Sequence, residues 1–117
     1  MKMRVARATR GPYHAPVTTL LVGRDFAFVG VPAEIFVDFQ MDVRARVSDM
    51  PVLFGGYTNA TLGYAPTIKA AVDGGYGASQ LGAFLPVGAG NRMIDTAVIR
   101  LGYFTGKLRS KPASGGN

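Results

Sequence analysis

The sequence predicts a mixed α/β (α+β) domain in which two amphipathic helices cover a small sheet of three or four strands. Apolar runs rich in β-branched and aromatic residues lie at 17–22, 26–31 and 52–57, a composition typical of strands. Between the second and third runs, residues 33–47 carry apolar side chains at helical spacing. A chain of 117 residues supports one domain with one modest core.

The first two runs are separated by Gly23-Arg24-Asp25, and so short a glycine-containing connection predicts a β-hairpin. The helix over residues 33–47 has one apolar stripe, with an Asp42/Arg46 pair at i, i+4 on its polar side. The stripe consists of Ile35, Phe36, Phe39, Val43 and Val47. We expect Phe36, Phe39 and Val43 to form the main contact between this helix and the sheet.

The second half of the chain predicts shorter elements. Residues 52–57 indicate a buried strand that Gly55 and Gly56 weaken. Residues 67–72 predict one helical turn, which Asp73-Gly-Gly ends. Asn91 is expected to cap a second helix that ends at about residues 102–104. The apolar face of that helix would consist of Ile94, Ala97, Val98 and Leu101.

The net charge of +6 comes from the two ends of the chain. Residues 1–10 carry four basic side chains and no acidic ones, and residues 107–117 carry three basic side chains and no acidic ones. The remaining six basic and seven acidic side chains give residues 11–106 a net charge of −1. No groove-reading motif or aromatic stacking platform accompanies the basic ends, so we expect no nucleic-acid partner. The sequence thus divides into a basic extended lead-in (1–16), the α/β module (17–104) and a disordered basic tail (105–117).

Composition excludes several classes of site. The chain has no cysteine, which excludes disulfides, thiolate metal sites and thiol nucleophiles. The sequence has no basic segment followed by an apolar stretch, so we expect no signal peptide. The uncharged run over residues 51–68 approaches membrane-spanning length, but its Gly, Pro, Asn and Thr content disfavours a transmembrane helix.

Two side chains at backbone turning points are candidate functional groups. Glu34 follows Val31-Pro32, beyond the carboxyl end of a predicted strand, where ligands often bind in α/β architectures. Tyr64 lies on a loop flanked by Gly63 and Pro66. A glutamate in the first helical turn is also favoured simply because it complements the helix dipole, and a tyrosine after glycine often packs with its hydroxyl in water. Capping and packing therefore remain open for both.

Five short motifs follow one another in a characteristic order. They are Val31-Pro-Ala-Glu-Ile-Phe36, Gly55-Gly-Tyr-Thr-Asn59, Gly63-Tyr-Ala-Pro-Thr67, Asp73-Gly-Gly-Tyr76 and Pro86-Val-Gly-Ala-Gly-Asn91. Over about residues 17–101 the chain resembles the C-terminal part of the catalytic domain of the neutral/alkaline non-lysosomal ceramidases. The resemblance implies a zinc amidohydrolase that cleaves the N-acyl bond of ceramide to give sphingosine and a fatty acid. That family binds zinc through two histidines, one glutamate and one tyrosine, and the matching positions imply Glu34 and Tyr64 as metal ligands here.

The chain departs from the family pattern at several points. The histidine ligands and the serine implicated in catalysis lie far upstream in the family, whereas this sequence has only His14, in a segment we expect to be extended and solvated. After Gly-Gly-Tyr the family often has an acidic residue, whereas this sequence has Gly77. The family's Pro-Gly-Glu is replaced by Pro32-Ala33-Glu34. The β-sandwich that follows the catalytic domain in longer relatives is absent. A catalytic zinc needs about three protein ligands, so we expect this chain to bind zinc weakly or not at all.

Two functional classes remain open on the sequence. In the first, the chain is part of a ceramidase-like hydrolase, a missing segment completes its zinc site, and its substrate is a ceramide-like lipid. In the second, it is a small module without metal that assembles into homo- or hetero-oligomers through glycine-rich loops. Glycines at 74, 75, 77, 82, 88 and 90 predict long loops, which in a small domain usually indicate function or a missing partner.

Overall fold

The computed structural model describes residues 14–79 and 85–109. Strands β1 (Thr18–Val22) and β2 (Phe26–Gly30) form the predicted antiparallel hairpin, with Leu20 opposite Phe28. Strand β4 (Val52–Gly55) pairs parallel to β2, so this sheet has the order β1-β2-β4. Between β2 and β4 lie the two-residue strand β3 (Glu34–Ile35) and helix α1 (Val37–Arg46).

The rest of the described chain adds a second sheet and two helices. Strand β5 (Tyr64–Ala65) pairs parallel with β3. Helix α2 (Ile68–Asp73) follows, and helix α3 (Ala89–Phe104) comes after residues 80–84. The mixed α+β class is therefore confirmed. No helix within the described ranges has the length and apolar character needed to cross a membrane.

Both longer helices pack on one face of the β1-β2-β4 sheet. The strand residues that face them include Ala27, Val29 and Val52, all buried. Of the three predicted contact residues, Phe39 and Val43 are buried on α1, whereas Phe36 precedes the helix and is half-buried. Helix α3 contributes Met93, Ile94, Ala97 and Leu101 to the same core. Alternation along the strands thus buries one face of the sheet.

The opposite face of this sheet has no covering element among the described residues. Leu20 and Leu53 are 54% and 53% exposed, and Phe28 lies between them in the strand register. The sequence predicted a buried third strand, which is only partly right: in β4, Val52 is buried, Leu53 is exposed, and Phe54 and Gly55 are half-buried. A run of apolar residues cannot by itself distinguish a strand with two covered faces from one with a single covered face.

Two predicted helix starts also differ from the structure. Helix α1 begins at Val37 rather than Ala33, because residues 34–35 pair as a strand and Phe36 remains extended. Helix α3 begins at Ala89 after the left-handed residue Gly88, so Asn91 lies inside the helix and does not cap it. The buried Oδ1 of Asn91 has no hydrogen-bond partner in the described part of the chain.

Two ion-pair contacts join elements that are distant in sequence. The predicted Asp42/Arg46 pair is present at 2.7 Å, and Arg46 also reaches Asp95 on α3 at 2.8 Å. Lys107 contacts Asp49 at 2.7 Å, and the backbone N–H of Leu108 donates to Gly102. Residues 105–109 therefore pack against the domain, whereas the sequence assigned them to a disordered tail. Residues 1–13 of the lead-in and 110–117 of the tail lie outside the described residues.

Candidate functional site

Glu34 lies at the edge of the sheet where the parallel strands β2 and β4 end. It follows Gly30, the last residue of β2, by four positions, and Tyr57 follows Gly55, the last residue of β4, by two. Parallel strands bring the segments that follow them to one edge, which is the common location of ligand sites in such sheets. The topology thus explains how residues distant in sequence meet here.

Backbone hydrogen bonds hold Glu34 between two loops. Its N–H donates to Gly63 at 3.0 Å, and Leu62 N–H donates to Pro32 at 2.8 Å. On the other side, Tyr57 N–H donates to Ala33 at 3.2 Å. Glu34 is thus part of a strand, and the alternative that it caps a helix does not hold, because α1 begins three residues later.

Glu34 and Tyr64 are direct partners in the β3–β5 ladder. Paired residues on neighbouring strands lie about 4.8 Å apart, and in a parallel pair their side chains emerge on the same side of the sheet. The fold therefore places Glu34 and Tyr64 side by side, although thirty positions separate them in the sequence. Their role as metal ligands remains a proposal.

Tyr57 and Tyr76 join Glu34 and Tyr64 in a cluster of one carboxylate and three phenols. The Tyr57 hydroxyl donates a hydrogen bond to Glu34 Oε2. The rings of Tyr64 and Tyr76 meet edge to face, with centroids 5.7 Å apart and an interplanar angle of 76°. We name these four residues the Glu–Tyr cluster. The sequence analysis did not single out Tyr57 or Tyr76, although both follow a Gly-Gly pair that indicates a turn.

The cluster alters the acidity of two phenols. The hydrogen bond to Glu34, together with partial burial and the charge of that carboxylate, raises the pKa of Tyr57. A hydrogen bond with Tyr76, partial burial and the charge of Glu34 raise the pKa of Tyr64 above its usual range. Both phenols therefore keep their protons at neutral pH, and Tyr64 would need a bound cation to displace its proton before acting as an anionic ligand.

This raised pKa predicts a stability change at alkaline pH. Tyrosines of the unfolded chain begin to lose their protons near pH 10, whereas Tyr64 in the folded chain remains protonated there. The free energy of unfolding should therefore fall as the pH rises above about 10. It should fall less steeply in Tyr64→Phe. Urea denaturation between pH 7 and pH 11 measures both slopes, and equal slopes would contradict the expectation.

Gly77 follows Tyr76 and lies against the ring of Tyr64. Its backbone is left-handed, with φ +73°, and a Cβ there would lie 2.9 Å from ring atoms of Tyr64. A larger residue would therefore be strained and would displace that ring. At this position the Tyr64 ring occupies the space that a side chain would need.

A small cleft opens beside Glu34. It has a volume of about 300 Å³, and its lining includes Glu34, Phe36, Gln40, Phe54 and Tyr57. The lining combines polar and aromatic side chains, and Tyr64 and Tyr76 are not part of it. A larger cleft of about 740 Å³ lies elsewhere, between residues 15–17, Leu85 and α3, and it contains none of the Glu–Tyr cluster.

The metal-binding capacity of the site is limited. Within residues 14–79 and 85–109, no group of three or more His, Cys, Asp or Glu side chains comes together. His14 is exposed, and its neighbours Ala15 and Pro16 line the larger cleft rather than the one beside Glu34. Glu34 and Tyr64 thus offer two oxygen ligands of the roughly three that a catalytic zinc needs.

Comparison with protein-family models, with curated proteins and with solved structures finds no match to this chain. The functional assignment therefore depends on the geometry of the Glu–Tyr cluster and on the sequence resemblance described above.

Proposed function

We propose that this chain contributes Glu34 and Tyr64 to the zinc site of an amidohydrolase that cleaves the N-acyl bond of a ceramide-like lipid. The observation that carries the proposal is the direct pairing of Glu34 with Tyr64 in the parallel β3–β5 ladder. Both residues lie in segments that follow the carboxyl ends of β2 and β4. A carboxylate and a phenol in register can offer their oxygens to one ion. The donors fit two positions of a tetrahedral zinc site, and imidazole groups from outside these 117 residues would supply the others.

The chain's own residues would have defined roles in such a site. Glu34 would bind the ion through its carboxylate, and Tyr64 would bind it through a phenol oxygen whose proton the ion displaces. Zinc in this position would polarise the amide carbonyl and lower the pKa of a bound water to near 7.

A zinc titration with matched variants tests this proposal. Chemical shifts of the 117-residue chain, followed by NMR up to millimolar Zn²⁺, should move at Glu34 and Tyr64 and saturate with a weak affinity. Glu34→Gln and Tyr64→Phe should each weaken binding at least tenfold. Asp38→Asn, at an exposed carboxylate of α1, and Tyr103→Phe, at a half-exposed phenol of α3, should leave it unchanged. Equal effects of all four variants would contradict a specific site.

The 117-residue chain alone should not hydrolyse ceramide or simple N-acyl amines. It offers two of the required ligands, and its single histidine is exposed and outside the cleft beside Glu34. A fluorescent ceramide assay with added Zn²⁺ measures this. Turnover above a metal-free control that disappears in Glu34→Gln would show that the site is complete without further ligands.

The uncovered sheet face favours a second candidate, a small assembly module without metal. Leu20, Phe28 and Leu53 give that face an apolar, uncharged surface. This face, rather than the glycine-rich loops expected from the sequence, is the apolar surface that a second copy would cover. Three strands of about five residues span roughly 15 by 17 Å, on the order of 250 Å². A stable interface needs about 800 Å² on each partner, so the face alone is too small for a firm dimer.

Mass in solution distinguishes the two candidates. If the chain is part of a hydrolase, it should be a monomer on its own. The rest of the catalytic domain would then cover its apolar sheet face. The assembly candidate predicts a defined oligomer that Leu53→Lys dissociates, while Ile68→Lys, at an equally exposed position on α2, does not. Sedimentation velocity over a hundredfold range of concentration measures both.

A further inference from the structure

Tyr57 has an unusual backbone conformation for a tyrosine. Its φ is +53°, in the left-handed region that side chains other than Asn, Asp and Gly rarely adopt. Asn59, two residues further on, has φ +65°, but asparagine tolerates this conformation and its side chain donates to Thr18 Oγ1 at 3.0 Å. Tyr57 therefore accepts a strained conformation in a turn where glycine would fit without strain.

The surrounding backbone imposes this conformation. Thr58 N–H donates to Val31 at 2.9 Å, and Thr58 Oγ1 donates to Gly55 at 3.1 Å. Tyr57 N–H donates to Ala33, the residue before Glu34. These bonds fix the turn against the segment that carries Glu34, so the Tyr57 side chain leaves the turn directly beside that carboxylate.

The side chain itself gains little from packing. Tyr57 is 51% exposed, and its hydroxyl donates to Glu34 Oε2. A half-exposed ring contributes less to the core than a buried one, so packing does not account for a tyrosine at a strained position. The hydrogen bond to Glu34 is the contact that only the phenol can make.

We propose that Tyr57 is a positioning residue for Glu34. By occupying Oε2, it holds the carboxylate in one rotamer and leaves Oε1 for a ligand, so that a cation would be bound through a single oxygen. The positioning is argued from the Tyr57–Glu34 hydrogen bond, whereas its consequence for zinc rests on the proposed function. Groups that hydrogen-bond a ligating carboxylate typically change metal affinity 10- to 100-fold when they are removed.

NMR of the complete 117-residue chain without metal tests the positioning. The Hα–Hβ coupling constants of Glu34 should report one χ1 rotamer in the wild type and rotamer averaging in Tyr57→Phe. Tyr57→Gly, which suits the left-handed backbone, should lose the single rotamer in the same way. Tyr103→Phe should keep it. All variants should retain the wild-type amide spectrum outside the turn, because a merely structural role would not change the Glu34 rotamer alone.

Two results would overturn the inference: a Glu34 side chain that already averages in the wild type, or one that stays fixed in Tyr57→Phe. A second arm uses Zn²⁺ as the probe. Tyr57→Phe should weaken its binding about tenfold, and an unchanged affinity alongside a large effect of Glu34→Gln would show that Tyr57 does not prepare the metal site. No zinc-dependent shift at Glu34 in the wild type would instead refute the proposed function, with the coupling constants still deciding the role of Tyr57.

Discussion

Phe39→Ala should lower the free energy of unfolding by about 3–5 kcal/mol, the usual cost of truncating a buried aromatic residue. Phe39 is 3% exposed and lies between α1 and α3. Its ring is so close to α3 that a Cβ on Gly90 would be 2.6 Å from Phe39 Cζ. Truncation would therefore open a cavity between the two helices, which neither helix can close without moving relative to the sheet.

Urea denaturation followed by circular dichroism measures this loss. Phe104→Ala is the matched control, because Phe104 is 56% exposed at the end of α3, and the expected change there is within about 0.5 kcal/mol. A denaturation midpoint that Phe39→Ala leaves unchanged would contradict the assignment of Phe39 to the core between the helices.

Gly30→Ala should cost about 1–3 kcal/mol, because it overpacks a closed contact. The added Cβ would lie 2.6, 2.7 and 2.8 Å from Cγ2, Oγ1 and Cβ of Thr58. Rotating the Thr58 side chain cannot relieve a clash with its own Cβ, so the backbone of the turn must move. Because Tyr57 precedes Thr58 in that turn, we expect the Tyr57–Glu34 hydrogen bond to be lost as well.

A double-mutant cycle isolates this clash from other effects of the substitution. Thr58→Gly removes all three contacting atoms, so Gly30→Ala should cost much less in the Thr58→Gly background than in the wild type. Equal costs in both backgrounds would show that Thr58 does not pack on Gly30. The experiment thus tests the contact that links the end of β2 to the turn carrying Tyr57.

Local sequence patterns predicted the elements that local chemistry determines. The hairpin follows from two β-branched and aromatic runs with a three-residue connection, and it is confirmed. The core-facing positions Phe39 and Val43 follow from helical spacing and are buried as predicted. These signals are contained within a few residues of one another, which is why a single sequence is sufficient to detect them.

The structure differs from the sequence prediction where contacts between distant segments determine the backbone conformation. Glu34 belongs to a strand because Gly63, nearly thirty residues later, accepts its backbone N–H, and no local pattern contains that partner. Helix α3 begins at Ala89 because Gly88 is left-handed and Gly90 fits against Phe39. The apolar stripe, by contrast, becomes visible only from Ile94 onward.

The candidate site was partly accessible from the sequence. Glu34 and Tyr64 were proposed from motif order, and the parallel pairing of β3 with β5 gives a physical reason for their proximity. Tyr57 was missed because its importance depends on a left-handed backbone and on a contact across two loops. A tyrosine after two glycines at a strand end is the one local signal that could have identified it.

Anomalous diffraction at the zinc edge, from crystals soaked in Zn²⁺, tests the proposal that Glu34 and Tyr64 bind one zinc ion. We expect a single anomalous peak about 2.0–2.2 Å from a Glu34 carboxylate oxygen, with the Tyr64 phenol oxygen at a similar distance. Water would complete the coordination in these crystals. Anomalous peaks only at other side chains, with Glu34 still bonded to Tyr57 and no density beside Tyr64, would contradict the claim.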